Sequence, residues 1–410
     1  MLERPKRRNP VLRTRLPTLP PAARSRIALG LTAAAALGRF ELQQCKDCGM
    51  VQYPPREACQ SCLSTRVEWK PQSQEGELLA DTVLHHSNDL FFRERLPWRL
   101  GLVKLNAGPT VVAHLHTQLP AAPCRVFVAA KLDRAGQAVL VALPDKESNM
   151  AEDRQLREFT CDPKFRKVLV TDGKTAAGQA LVKAFADAGA DLIWVGHAEP
   201  WKQFAGFADL KKIPQVSLLP LDVTDSKNVR EVAAEIGGKV DILVNTAEVH
   251  RAYGIGNRSG VDTARAEMDV NYFGLLRLAQ EFGPVMRARG ADGLASATAW
   301  VNLLSIYALA NFPPHGTFSA SKAAAHSLAQ CLRAEMRPAG VRVINVFPGP
   351  LDDEWNQLLP PPKVTPVALA SAVIKALREG VEDAYPGDVA QEWLARWRDN
   401  PKALEKELST

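Results

Sequence analysis

The sequence predicts an α/β protein whose C-terminal half is a doubly wound parallel sheet, preceded by smaller β-rich modules. From residue 167 onward, strand-like runs such as KVLVTD, DLIWVG and DILVNTA alternate with amphipathic helical patterns. Continuous apolar strands between such helices are typical of a parallel sheet covered on both faces, the Rossmann-type arrangement. Between Glu77 and Leu143, five short runs rich in β-branched residues are separated by turn formers. These runs predict a small five-stranded barrel of the OB type.

Composition and charge exclude several classes of protein. The chain has 410 residues, is 46% hydrophobic and carries a net charge of +6. This composition excludes an intrinsically disordered protein and a fibrous protein. The first 26 residues hold eight Lys or Arg and one acid, Glu3. We interpret them as a solvated basic arm leading into a helix, with a targeting peptide as the alternative. The longest weakly apolar stretch, residues 27–38, is shorter than the roughly 20 residues that a membrane span needs.

Four of the seven cysteines form two Cys-x-x-Cys pairs separated by ten residues. Thiolates at this spacing can close a tetrahedral metal site. Structural zinc is the prediction, with rubredoxin-like iron or a redox dithiol as alternatives. The odd total and the lack of a persuasive secretion signal favour a reducing cytoplasm. The predicted ligands are Cys45, Cys48, Cys59 and Cys62.

A composition change marks the predicted domain boundary. Residues 144–164 are charged and lack the apolar period of a core element. The predicted organisation is a basic arm and helix at 1–38, a zinc ribbon at 39–70, an OB-fold at 71–145, a linker at 146–166 and the Rossmann-type domain at 167–410.

The cysteine segment LQQCKDCGMVQYPPREACQSC and the strands after it resemble zinc-ribbon plus OB-fold proteins that accompany thiolases and other acyl-CoA enzymes. The resemblance covers about residues 35–145. It implies a structural metal and an OB-fold that contacts acyl-CoA or a thiolase partner. A basic tail beside an OB-fold would otherwise suggest nucleic acid, but the strands hold few aromatic residues suited to base stacking.

Residues 167 to about 400 resemble the short-chain dehydrogenase/reductase family, with several motifs in the family's order. The segment VTDGKTAAG stands where the family writes Thr-Gly-x-x-x-Gly-x-Gly, so Asp172 replaces the first glycine, Ala176 the second, and Gly178 keeps the third. In the family, this turn brings backbone N–H groups to the pyrophosphate of NAD(P). The resemblance implies cofactor contacts at Thr171, Gly173, Gly178, Asp222, Val223, Asn245 and Ala247.

Three residues oppose NAD(P) binding: Asp172, Ala176 and Glu248, the last in a segment where the family has Asn-Asn-Ala-Gly. A carboxylate about 5 Å from a phosphate would cost roughly 3 kcal/mol at an effective dielectric constant of 20. The cost shrinks if Asp172 points away or pairs with Lys174. The alternative is that the turn only holds helix to sheet. His197, near the position that selects NAD or NADP in the family, is predicted to be a surface loop residue.

The catalytic motif of the family is incomplete in this chain. Asn271, Ser305 and Lys322 match its asparagine, serine and lysine, but Phe318 stands at the tyrosine position. Ser305 precedes Phe318 by 13 residues, the spacing that the family uses, which fixes the register. A phenyl ring has no proton to exchange with a substrate. Alternative proton donors near Phe318 in the sequence are His315, Tyr307, Tyr272 and Tyr253.

Together these features predict an accessory subunit of an acyl-CoA-processing, β-oxidation-like assembly, with a degenerate dehydrogenase domain and little activity of its own. Its first half would bind a thiolase-like enzyme, and its second half would pair with itself or with an active short-chain dehydrogenase. The alternative is an active NAD(P)-dependent oxidoreductase on a 3-hydroxyacyl- or 3-ketoacyl-CoA with a replaced proton donor. A third hypothesis is a nucleic-acid or acyl-CoA binding module, which predicts salt-dependent association.

Overall fold

A computed structural model describes residues 18–257, 259–291 and 296–409. The chain divides into two compact units, one built mainly from Thr18–Asp162 and the other mainly from Pro163–Leu377 and Asp383–Thr410. Most of the predicted basic arm lies outside the described residues. Among the helices that the structure describes, none combines the length and apolarity needed to cross a bilayer.

The first unit contains a small antiparallel sheet and a closed barrel. After helix α1 (Leu29–Ala36), the sheet has the order β2-β1-β3. The barrel closes in the order β4-β5-β6-β8-β7, which confirms the predicted five-stranded barrel. A short helix, α2 (Leu90–Arg93), lies between β4 and β5. The strands are β1 (Glu41–Cys45), β2 (Val51–Gln52), β3 (Val67–Pro71), β4 (Glu75–Leu84), β5 (Trp98–Leu105), β6 (Thr110–Leu115), β7 (Cys124–Leu132) and β8 (Ala138–Leu143).

Alternation along the barrel strands explains why this segment forms a closed sheet. Val103 and Val111 point inward and are buried, whereas their neighbours Leu102 and Val112 are exposed on the outer face. Side chains of a strand point to opposite faces in turn, so one set fills the barrel core. Leu102 and Val112 also face each other across the β5–β6 pair.

The second unit is a seven-stranded parallel sheet with the order β11-β10-β9-β12-β13-β14-β15. This order confirms the doubly wound Rossmann-type fold. The direction of winding reverses between β9 and β12, where open α/β sheets place their ligand crevice. The strands are β9 (Lys167–Val170), β10 (Leu192–His197), β11 (Val216–Pro220), β12 (Ile242–Asn245), β13 (Ala299–Leu303), β14 (Arg342–Val346) and β15 (Asp383–Ala384).

Helices connect these strands, and a buried apolar cluster fills the space between helices and sheet. The helix predicted near residues 263–287 is interrupted, because a π-helical turn at Asp269–Gly274 separates α6 from α7. Such π-turns occur often at functional sites. The helices are α3 (Ala176–Asp187), α4 (Phe207–Lys211), α5 (Ser226–Ile236), α6 (Asp262–Met268), α7 (Leu275–Ala288), α8 (Gly316–Met336), α9 (Pro366–Glu379), α10 (Asp388–Asp399) and α11 (Pro401–Glu407).

Gly178 lets helix α3 approach the end of β9 closely. A Cβ atom at this position would lie 2.2 Å from the carbonyl oxygen of Asp172, a distance that real Cβ atoms do not reach. The third glycine of the turn is therefore required for packing, whether or not a ligand binds. This is the role that the third glycine of such turns has in helix–strand packing.

The substitution Gly178→Ala should lower the free energy of unfolding by about 1–3 kcal/mol, because the added methyl group overlaps backbone atoms that cannot move independently. Urea unfolding followed by circular dichroism measures the change. Gly256→Ala is the matched control, since a Cβ atom at Gly256 meets nothing within 4 Å. Equal stability of Gly178→Ala and the unmodified chain would contradict the packing argument.

Candidate functional site

The two Cys-x-x-Cys pairs come together in the first unit. Their four Sγ atoms lie within 4.8 Å of one another, with Cys45 Sγ 3.6 Å from Cys62 Sγ and Cys48 Sγ 3.5 Å from Cys59 Sγ. Zinc–sulfur bonds of about 2.3 Å in a tetrahedron place sulfur atoms about 3.7 Å apart. The donor set therefore fits zinc, and because four thiolates complete the tetrahedron, the site is structural.

Backbone turns hold the thiols in place. Gly49 N–H donates to the Cys45 carbonyl and Leu63 N–H to the Cys59 carbonyl, each at 3.0 Å. Gly49 and Leu63 both have positive φ, 75° and 61°. The backbone N–H groups of Cys62 and Ser61 lower the pKa of the Cys59 thiol to about 6, which favours the thiolate that binds metal.

The loops after β9 and β12 bound the crevice of the second unit. The backbone N–H of Asp172 donates to Thr246 Oγ1 at 2.8 Å, and its carboxylate accepts from the Lys174 N–H at 2.7 Å. Burial raises the pKa of Asp172, and the Glu248 carboxylate adds to the rise. The Lys174 ammonium, which could have offset the Asp172 charge, pairs with Glu199 at 2.7 Å.

Several residues predicted to contact the cofactor form hydrogen bonds with other residues at the ends of strands or in the turns that follow them. Thr171 Oγ1 donates to Asn245 Oδ1 at 3.2 Å and accepts from Ala247 N–H at 3.2 Å. The Asp222 carboxylate accepts from the backbone and the hydroxyl of Thr224, at 2.9 and 2.7 Å. These bonds give the residues a structural role that needs no ligand.

Two glycines near the crevice, Gly173 and Gly274, pack so closely against neighbouring side chains that a Cβ atom would not fit. A Cβ atom at Gly173 would lie 2.2 Å from Val195 Cγ1, and one at Gly274 would lie 2.8 Å from Val223 Cγ2. His197 was wrongly predicted as a surface loop residue. It is buried at the end of β10, and its ring packs edge-on against Phe207 with centroids 5.9 Å apart.

Lys322 is the charged centre of the site. It lies on α8 with 2% of its side chain exposed, and its Nζ is 2.5 Å from Glu248 Oε2 and 3.0 Å from the Leu303 carbonyl oxygen. The ammonium also lies 5.4 Å from the centroid of the Phe318 ring. Because a buried charge must be compensated, Glu248 is the counter-ion that this lysine uses.

Phe318 fills its position with a stacked ring. The ring is buried and lies against the His250 imidazole, with centroids 3.8 Å apart and planes inclined by 16°. His250 Nε2 is 3.0 Å from His315 Nδ1, so the predicted alternative donor His315 hydrogen-bonds to another imidazole. Burial, followed by the charges of His315 and Lys322, lowers the pKa of His250 to about 2. Burial also lowers the pKa of His315.

The asparagine and serine of the motif bind neighbouring backbone. The Asn271 side chain, in the π-turn, accepts from Val249 N–H at 3.0 Å and donates to Ser321 Oγ at 2.8 Å. Ser305 Oγ accepts from Tyr307 N–H at 3.2 Å. The Tyr307 hydroxyl is buried without a hydrogen-bond partner among the described residues, and burial raises its pKa.

The contacts of Glu248 and His250 escaped sequence analysis. Both residues lie in the loop after β12, and each meets a residue of α8 that is distant in the chain. Trp355, from the loop after β14, also reaches this region, since its ring lies 4.5 Å from the Arg251 guanidinium. No periodic pattern signals such loop contacts. The one available signal was the chemical mismatch at Glu248.

Three protein families match successive parts of the chain. Residues 166–362 match the model for short chain dehydrogenase. Residues 32–68 match the ChsH2 rubredoxin-like zinc ribbon domain, and residues 69–133 match the ChsH2 C-terminal OB-fold domain. These matches confirm the prediction that a zinc ribbon and an OB-fold are fused to a short-chain dehydrogenase domain.

A crystal structure of a short chain dehydrogenase from Burkholderia cenocepacia, in complex with NADP, is similar to this chain. It is 31% identical with a TM-score of 0.55, covering 61% of this chain and 99% of that one. Dehydrogenase/reductase SDR family member 7B of Mus musculus is 31% identical over 44% of this chain, and short-chain dehydrogenase cctT of Talaromyces islandicus is 28% identical over 41%. The chain spans 56% and 60% of the lengths of these two relatives. It belongs to the short-chain dehydrogenase family and carries a zinc ribbon and an OB-fold before that domain.

The purified protein should contain about one equivalent of zinc, and Cys59→Ser should lose most of it, because three thiolates leave the tetrahedron incomplete. Metal content measured by plasma mass spectrometry tests this. Cys331→Ser is the control, since Cys331 is a free cysteine outside the four-thiol cluster. Well under one equivalent in the unmodified protein, or full retention in Cys59→Ser, would rule out a four-thiolate zinc site.

Proposed function

We propose that this chain is an accessory subunit of an acyl-CoA-processing assembly and that its dehydrogenase domain does not catalyse hydride transfer. The observation that carries the proposal is the buried Phe318 ring, stacked on His250 beside Lys322. The family places its tyrosine hydroxyl at this position. Phenylalanine has no group that could exchange a proton with a substrate oxygen.

His250, His315 and Tyr307 supply no replacement for that hydroxyl. His250 and His315 hydrogen-bond to each other, and with its pKa near 2 His250 stays neutral throughout the physiological pH range. The Tyr307 hydroxyl holds its proton more tightly than an ordinary tyrosine, because burial raises its pKa. A general acid works best when its pKa lies near the operating pH, and Tyr307 has moved away from it.

The crevice residues do not fit a nicotinamide dinucleotide. Asp172 and Glu248 bring carboxylates to the two loops that bound it, and each would cost roughly 3 kcal/mol at about 5 Å from a phosphate. That cost corresponds to about a hundredfold in affinity. The Lys322 ammonium is already neutralised by Glu248 at 2.5 Å. Asn271, Ser305 and Lys322 are then vestiges of a catalytic set, retained for the hydrogen bonds that they make.

The ChsH2-type domains support an association with acyl-CoA enzymes. We infer a thiolase-like enzyme as the partner of the first unit. Holding consecutive steps of acyl-CoA processing together raises the effective concentration of each intermediate. The exposed Leu102 and Val112 on the outer face of the barrel form an apolar pair suited to such a contact. The reducing cytoplasm is the compartment that we propose.

The second unit is proposed to pair with an active short-chain dehydrogenase or with its own copy. An apolar groove of about 580 Å³ on α6 and the π-turn supports this, with Val261, Met268 and Phe273 among its lining residues. The Phe273 side chain is 44% exposed. Exposed aromatic residues of this kind are enriched at protein interfaces.

Titration of the protein with NADH or NADPH, followed by tryptophan fluorescence, should detect no binding below millimolar concentration. Phe318→Tyr should remain inactive in hydride transfer, because a restored hydroxyl does not restore cofactor binding. The short chain dehydrogenase from Burkholderia cenocepacia, whose crystal structure contains NADP, is the positive control for binding. Micromolar binding by the unmodified chain would instead favour an active oxidoreductase with a replaced proton donor.

Affinity purification of the tagged full chain from its native source should recover a thiolase or a short-chain dehydrogenase. Leu102→Glu should weaken recovery of the thiolase at least tenfold, because it places a charge in the apolar pair on the barrel. Val367→Glu is the control, since Val367 is 73% exposed on α9. Quantitative mass spectrometry gives the ratios. Recovery of neither enzyme class by the unmodified chain would count decisively against the accessory role.

A further inference from the structure

Glu248 reaches into the ligand crevice from the loop that follows β12. Its carboxylate is 2.5 Å from the buried Lys322 Nζ, while 21% of the Glu248 side chain remains exposed. Glu248 therefore lies between solvent and the Lys322 ammonium. Among the described residues, this is the one ion pair recorded for Glu248. An anion that paired with this ammonium would have to displace the Glu248 carboxylate.

The Glu248 carboxylate interacts electrostatically with three other acidic side chains. It raises the pKa of Asp172 in the loop after β9, of Glu267 on α6 and of Asp353 in the loop after β14, in each case in addition to burial. These three carboxyl groups belong to three different elements. The Glu248 carboxylate is therefore close enough to three other acids to affect their ionisation.

One favourable feature for a phosphate remains in place. Helix α3 still begins beside the crevice, where its N-terminal N–H groups and dipole attract anions. The Thr175 hydroxyl caps this helix by accepting from Gly178 N–H at 3.0 Å. The helix N-terminus that faces the pyrophosphate in this fold is therefore retained, although Asp172 and Ala176 alter the turn before it.

We propose that Glu248 is an autoinhibitory residue. It occupies the nucleotide crevice and neutralises Lys322, and loss of its carboxylate opens the crevice to a phosphate-bearing nicotinamide dinucleotide. This inference rests on the proposed function, in which the intact chain does not bind nucleotide. It adds that the Glu248–Lys322 ion pair keeps the nucleotide out together with the altered glycine turn.

The size of the effect follows from the charges. Removing one carboxylate about 5 Å from a phosphate improves affinity about a hundredfold at an effective dielectric constant of 20. The Lys322 ammonium keeps its charge and loses its counter-ion, which makes it available to pair with the dinucleotide. Asp172 and Ala176 remain, so the variant is expected to bind in the range of tens of micromolar rather than as tightly as an unaltered relative.

The experiment compares Glu248→Gly with the unmodified full chain by calorimetric titration with NADPH and by thermal unfolding. Binding should tighten at least a hundredfold. Without nucleotide, the variant should unfold at a lower temperature, because Lys322 loses its counter-ion, and NADPH should raise that temperature again. Glu248→Gln provides a second variant that keeps a hydrogen-bond acceptor for Lys322 if Glu248→Gly folds poorly.

Glu281→Gln is the matched control, because it removes the same charge from an exposed pair with Arg230 at 3.2 Å. It should leave NADPH binding unchanged. If neither the intact chain nor either Glu248 variant binds NADPH, the autoinhibitory role is overturned and the proposed function stands. If the intact chain already binds at micromolar concentration, both the proposed function and the inference fail.

Discussion

The buried charge of Lys322 is the constraint on which the candidate site depends. An ammonium group with 2% exposure requires a counter-ion and hydrogen-bond acceptors. Glu248 and the Leu303 carbonyl meet that requirement. They connect α8 to the loop after β12 and to the end of β13. The same contacts that stabilise the lysine therefore neutralise its charge and hold the Glu248 carboxylate in the crevice, which supports the proposal that a phosphate does not bind there.

The residues that this chain shares with its family meet structural requirements, whereas several residues that serve cofactor binding or proton transfer in the family differ. Gly178 is retained because helix α3 cannot otherwise approach the carbonyl of Asp172. Asn271 is retained where its side chain joins the loop after β12 to α8. The positions that served only the cofactor or the proton, occupied by Asp172, Ala176 and Phe318, have changed. Under the proposed function, structural requirements persist after the chemical ones are lost.

Sequence reasoning succeeded where the physics is local or periodic. Apolar runs predicted the strands, and the spacing of the thiols predicted the zinc ribbon. The distance from Ser305 places Phe318 at the tyrosine position, and this stays a prediction. Sequence reasoning could not find the pairing of Glu248 with Lys322, or the stacking of His250 on Phe318, because these contacts depend on loop conformation. The burial of His197 at the end of β10 and the π-turn between α6 and α7 were also missed.

The central claim is that the crevice between β9 and β12 is closed to nucleotide by the side chains of this chain. A crystal structure of the full protein grown with millimolar NADPH tests it most directly. The account predicts a crevice without nucleotide, in which the Glu248 carboxylate remains on Lys322. Electron density for a dinucleotide across the N-terminus of α3, with Glu248 displaced from Lys322, would contradict the account.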